Sequence, residues 1–141
     1  MRLASFQSGD QRSYGVVDEG RVREPDDAFR SVYPDLRAAI AAGKLAELDA
    51  SASGPSHAIE SVRFLPLIPN PDKIICAGVN YRPHIEEMGR DVPDHPVVFV
   101  RFSGSQTGHG RALIRPMLSE QFDFEGELAF VIGRKAQHVA R

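Results

Sequence analysis

The chain has 141 residues, 42% hydrophobic and 26% charged, with a formal net charge of −2. That balance excludes a disordered chain and suits one domain, or a small domain with part of another. The near-neutral charge argues against a nucleic-acid partner. No apolar run approaches the ~18 residues of a membrane span, and the start "MRLASFQSGDQ" turns polar too early for a signal peptide. The expectation is a soluble cytoplasmic protein with no nucleic-acid and no membrane partner. The single cysteine, Cys76, excludes an intrachain disulfide and a cysteine-rich zinc site. Inside the apolar run "KIICAGV" it is expected as a buried, inert thiol.

In chain order, 2–7, 13–17 and 21–23 have strand character, punctuated by the turn signals "SGDQ" and "DEG". From Pro34 the pattern becomes helical: Leu36, Ile40, Leu45 and Leu48 are spaced along one face among many alanines, with Gly43 ending or interrupting the helix. "SASGPSHA", 51–58, has the composition of a linker, which gives two regions: a small α+β N-terminal lobe over 1–58 and a second region over 59–141. In the second, "SVRFLPLIPNPDK" is a strand followed by proline-stiffened coil. "KIICAGV", 73–79, is expected as a buried strand, and "HPVVFVRF", 95–102, as another. "SGSQTGHG", 103–110, is a loop with N–H groups and hydroxyls suited to an anion, without the spacing of a P-loop. "ELAFVIG", 127–133, is expected as a further strand.

Two motifs carry chemistry. In "FDFEGELAF", 122–130, residue parity separates Phe122, Phe124, Leu128 and Phe130 from Asp123, Glu125 and Glu127. A strand alternates its side chains between two faces, so the segment has one oily and one acidic face. Glu125 and Glu127 would stand about 7 Å apart on that face, within reach of one ion. Oxygen donors without cysteine favour Mg²⁺, Mn²⁺ or Ca²⁺ over zinc. A solvated edge-strand face is the alternative. In "NYRPHIEEMG", 80–89, Pro83 suits the start of a short helix and Gly89 its end. His84 and Glu87 then lie i, i+3 on one face. A histidine oriented by a carboxylate is a candidate general base; a surface pair of no consequence is the alternative. His57, His95, His109 and His138 have no spacing partner and are expected to face solvent or to be satisfied in the core.

"KIICAGVNYRPHIEEMG", then "PVVFVRF", then "SEQFDFEGELAFVIGRKAQHV" resembles, in order and separation, the fumarylacetoacetate hydrolase family over roughly 60–141. The resemblance implies a mixed β-rich α+β fold: a partial core of rolled β-sheets over 59–141, behind the small N-terminal lobe. It implies that Glu125 and Glu127 hold Mg²⁺ or Mn²⁺, and that His84 and Glu87 form a dyad that activates water. The complete protein would be a homodimer. The implied activity is divalent-metal-dependent hydrolysis of C–C bonds in acylpyruvates, diketo acids or related 2-oxo acids, with hydratase, isomerase or decarboxylase chemistry as the alternative.

Where many members carry Lys-Pro, this chain has Arg101 and Phe102; Arg101 keeps a cation with a different geometry. Arg101 and Ser105 are candidate substrate contacts. A third metal ligand, an aspartate, and a catalytic lysine are expected beyond Arg141. A non-catalytic fragment that binds a ligand or partner, or a simple metal- or phosphate-binding module, are the readings from other classes.

Overall fold

The computed structural model describes residues 1–140. The chain forms two compact units, Met1–Ile68 with the segment from Thr107 onward, and Pro69–Gln106. It is an α+β chain with antiparallel sheets.

The first unit is built on a five-stranded antiparallel sheet. Strands β1 (Arg2–Ser8) and β2 (Gln11–Asp18) pair with Leu3 opposite Val16 and Ser5 opposite Tyr14. The two-residue loop between them opens with Gly9 at φ 56°, a backbone state that glycine enters without a Cβ penalty. β3 (Arg21–Arg23) follows through Glu19 and Gly20, both at positive φ, as a tight hairpin of right-handed twist requires. β4 (Ser56–Ala58) and β5 (Arg63–Phe64) complete the order β4-β3-β2-β1-β5.

The polar stretch 51–58 is tied to the sheet. Glu24 N–H donates to the Pro55 carbonyl at 2.9 Å and Gly54 N–H to the Glu24 carbonyl at 3.0 Å. A Cβ at position 54 would sit 2.4 Å from the Pro25 carbonyl oxygen, so glycine is what permits this approach.

Short helices cover one face of the sheet. α1 (Asp27–Val32) is capped by Asp26, whose carboxylate accepts from Phe29 N–H at 2.8 Å. α2 (Leu36–Ala41) is capped in the same way by Asp35 on Ala38 N–H. Each cap satisfies one of the amide donors that a helix start leaves open. Gly43, at φ 70°, breaks the chain direction before α3 (Leu45–Ala50), as its place in the sequence predicts. Leu36, Ala39 and Leu48 bury their apolar stripe against Tyr14 and Val16, with Leu3, Phe29, Tyr33, Ile40, Leu45 and Ile68 around them. Burial of Tyr14, with Asp35 nearby, pushes its phenol up to about 12, against the opposing pull of Arg30. Phe6 and Val22, on the opposite face, are fully buried, and the His57 ring lies tilted against Phe6 at 5.4 Å.

In the second unit, β6 (Ile74–Gly78) and β7 (Val97–Arg101) form an antiparallel ribbon with Cys76 opposite Phe99. α4 (Arg82–Glu87) follows β6, with Pro83 in its first turn. Two expectations fail here. β6 alternates half-buried and exposed residues, and Cys76 is only half-buried. A lone two-stranded ribbon has no second layer for either face, so the apolar run does not become an interior strand.

A third correction concerns 122–133. No strand forms there, and Phe124, Phe130 and Ile132 are 85%, 78% and 77% exposed. Alternation prepares a strand, but a strand exists only when a neighbour takes its N–H and C=O groups. Among the described residues, no strand of either sheet pairs in a ladder with 122–133.

Candidate functional site

α4 carries the His84–Glu87 pair. Pro83 fixes φ in the first turn, where its missing N–H costs nothing, and Ile85 anchors the helix as its buried residue. The i, i+3 spacing then brings His84 Nδ1 to 3.7 Å from Glu87 Oε2, with side chains 42% and 81% exposed. That is ion-pair distance and longer than a hydrogen bond. An exposed pair of this kind contributes about 0–1 kcal/mol to stability, so the helix does not depend on it for folding.

Glu125 and Glu127 are exposed and lie in irregular chain of the first unit, so the strand parity that would align them is missing. Among the described residues, no group of three or more His, Cys, Asp or Glu is placed to hold a metal ion. Two carboxylates are the right donor type for a hard divalent cation and leave most of its positions to other oxygens. The dyad residues belong to the second unit.

Arg101 ends β7 opposite Ile74 and is exposed. Ser105 lies in a short 3₁₀ turn, Ser103–Ser105, and its hydroxyl donates to the Phe102 carbonyl at 2.7 Å. Its oxygen lone pairs stay available to a ligand, while its proton is committed to the turn.

The second unit also contains a cavity of about 370 Å³ between the end of β6, α4 and the segment leading into β7. Its polar walls come from Asn80, Arg82, Asp94 and His95, and its apolar walls include Ile85, Val92 and Val97. His84 and Glu87 are not among its lining residues. On a helix, 82 and 85 share one side while 84 and 87 share another, so α4 separates the cavity from the dyad. Sequence reasoning missed this group because its members come from two segments, 80–85 and 92–97, joined only by the ribbon.

A buried polar group lies in the first unit. The Glu24 side chain is 7% exposed. Its carboxylate accepts from Ser13 Oγ at 2.5 Å and from Arg30, and meets His57 Nε2 at 2.8 Å. Ser8 Oγ lies 3.4 Å from His57 Nδ1. His57 is thus half-buried and has Glu24 and Ser8 as partners.

The comparisons with known proteins bear on 73–141 above all. The family model for "Fumarylacetoacetate (FAA) hydrolase C-terminal" matches those residues. The chain is 33% identical to oxaloacetate tautomerase fahd2, mitochondrial, of Xenopus laevis over 99% of its own length and 46% of the relative's. It is 42% identical to oxaloacetate tautomerase Fahd2a, mitochondrial, of Rattus norvegicus over 55% of this chain and 25% of that protein. It is 40% identical to oxaloacetate tautomerase YisK of Bacillus subtilis over 60% of this chain and 30% of that protein. The chain therefore matches less than half the length of each of these curated relatives.

Proposed function

The chain belongs to the fumarylacetoacetate hydrolase family through residues 73–141, and from that premise we propose that it forms part of a tautomerase acting on a small 2-oxo acid of the oxaloacetate type. The observation that carries this reading is the similarity to proteins named as oxaloacetate tautomerases, one of which aligns along nearly the whole chain. Among the activities implied by the family resemblance, isomerisation has this support; C–C hydrolysis of acylpyruvates has none from these relatives.

Keto–enol interchange moves one proton between C3 and the oxygen on C2 of a 2-oxo acid. It needs a group that takes a proton at one position and returns it at the other. A histidine imidazole does both near neutral pH. In this reading His84 carries the proton, and Glu87, 3.7 Å from its Nδ1, holds the ring's orientation. The pair closes to hydrogen-bond distance when substrate is bound, as catalytic contacts commonly do. Hydrolysis would ask the same histidine to activate water; tautomerisation asks only for the shuttle.

Glu125 and Glu127 would hold a Mg²⁺ or Mn²⁺ ion through their carboxylates. A divalent cation, when bound, supplies positive charge that favours an enolate over its keto form. Arg101 and Ser105 are proposed to contact the substrate, Arg101 with a guanidinium suited to a carboxylate. The rolled-sheet core and the homodimer belong to the same proposal for the whole protein.

The test is the rate at which the enol of oxaloacetate disappears, followed by ultraviolet absorbance with Mg²⁺ or Mn²⁺ present. His84→Ala is expected to cut the rate by on the order of 10²-fold. Glu87→Gln is expected to cut it by about tenfold, a smaller loss because the base itself remains. An unchanged rate in His84→Ala overturns the reading.

A further inference from the structure

Three non-glycine residues among those described have a positive φ: Glu19, Val79 and His138. Glu19 shares a tight hairpin turn with Gly20, which demands it, and histidine is among the residues that enter the left-handed region more readily. Val79 has neither reason. It sits at φ 55°, directly after β6, and its branched Cβ makes that conformation costly. Such strain persists only where the surroundings hold it. Here they hold it from both sides: Gly78 is fixed opposite Val97 in the ribbon, and α4 is anchored by Ile85, 4% exposed. Val79 itself is half-buried.

The joint matters because α4 has little else to set its direction. The helix has six residues, one of them buried, and Tyr81 at its N-cap makes no side-chain cap bond. A helix so short is not stable by itself. For a residue with a Cβ the left-handed well spans only about 20° in φ, whereas glycine ranges freely there. We infer that Val79 is a positioning residue: its stiff left-handed joint sets the direction of α4 and, through it, the place of His84. The path from Val79 through Tyr81 to His84 spans at most about 12 Å, so a swing of about 10° at the joint displaces His84 by up to about 2 Å. A misplacement of about 1 Å can cost on the order of 10²-fold in rate. The inference rests on the tautomerase reading for its effect on turnover; the stiffness of the joint does not.

The experiment compares wild type, Val79→Gly and Val79→Ile in the full chain, by amide hydrogen exchange and by turnover of the oxaloacetate enol with Mg²⁺. The reporters are the Ile85 amide, which donates to the Tyr81 carbonyl at 3.1 Å, and the Met88 amide, which donates to the His84 carbonyl at 3.1 Å. Val79→Gly removes strain and stiffness together. It is expected to speed exchange at both amides by about tenfold, because a freed joint lets the short helix open. The Leu65 amide, which donates to the Ser5 carbonyl at 2.9 Å in the first unit, is expected to keep its wild-type protection in every variant. In turnover, Val79→Gly is expected to lose about tenfold in kcat, with KM within about twofold of wild type. Val79→Ile keeps the branched Cβ and is expected to keep wild-type exchange, kcat and KM. Wild-type exchange at Ile85 and Met88 in Val79→Gly, or an equal loss in Val79→Ile, overturns the inference. So does faster exchange with unaltered kcat where His84→Ala is impaired. Failure of the tautomerase reading shows instead as a wild-type rate in His84→Ala, and the exchange data then still decide whether Val79 directs α4.

Discussion

Replacing Glu24 by Gln tests the packing of the first unit at its most demanding point. The substitution keeps the shape and removes the charge. In the native unit the Glu24 carboxylate, 7% exposed, faces Arg30, His57 and Ser13. The amide that replaces it has one acceptor oxygen and an NH₂ that must point at a donor. Removing one partner of a buried ion pair costs about 3–5 kcal/mol, because the other charge stays behind without compensation. Arg30 is 31% exposed, so water recovers part of its solvation and the lower figure, about 3 kcal/mol, is expected. At roughly 4–8 °C per kcal/mol for a domain of this size, Tm falls by about 12–24 °C. Asp27 supplies an internal comparison, since it pairs with the same Arg30 but is 94% exposed. Asp27→Asn is expected to cost under about 1 kcal/mol. Circular-dichroism melts of wild type, Glu24→Gln and Asp27→Asn decide the matter. Equal melting points for the two variants, or a Glu24→Gln melt within about 3 °C of wild type, would refute the claim that the buried carboxylate organises the joint between β3, α1 and β4.

Two further outcomes follow from the same structure. The Tyr14 phenol is raised from 10 to about 12 in the fold, by burial first and Asp35 second. Above pH 10 the unfolded chain releases a proton that the native chain keeps, so the contribution is fully present below pH 10 and is lost as pH rises towards 12. Denaturant midpoints measured across that window should fall in wild type and fall less in Tyr14→Phe. In the protein, Mn²⁺ titration followed by water-proton relaxation should show a saturable site that Glu125→Ala/Glu127→Ala removes; equal binding by the two proteins would detach the metal from these carboxylates.

Most of the sheet and helix pattern was legible because its signals are local. "SGDQ" and "DEG" fix the two hairpin turns between β1, β2 and β3, and their glycines occupy the positive-φ positions the turns need. Gly43 separates α2 from α3, and Pro83 and Gly89 bracket α4. α1 escaped notice because it buries no residue and so has no apolar stripe to read; its one signal is the Asp26 cap. The alternation of 122–130 matches a strand's side chains, but a strand is a property of two segments, and among the described residues no strand of either sheet pairs with it. The Glu24 cluster draws on residues 6, 11 and 33 positions away, and nothing in a single segment announces such a meeting. The dyad is the opposite case: an i, i+3 pair on a proline-started helix is a local statement, and the structure places its two side chains 3.7 Å apart.

The central claim is that His84, held by Glu87, moves a proton between carbon and oxygen of a 2-oxo acid. Proton NMR of oxaloacetate in D₂O, with Mg²⁺ or Mn²⁺ and either wild type or His84→Ala, tests it most directly. The account predicts that wild type accelerates loss of the C3 proton signal well beyond the uncatalysed exchange, with the carbon skeleton intact, and that His84→Ala returns it to the uncatalysed rate. Exchange by His84→Ala at the wild-type rate, or fragments of a cleaved C–C bond in place of exchange, would contradict it.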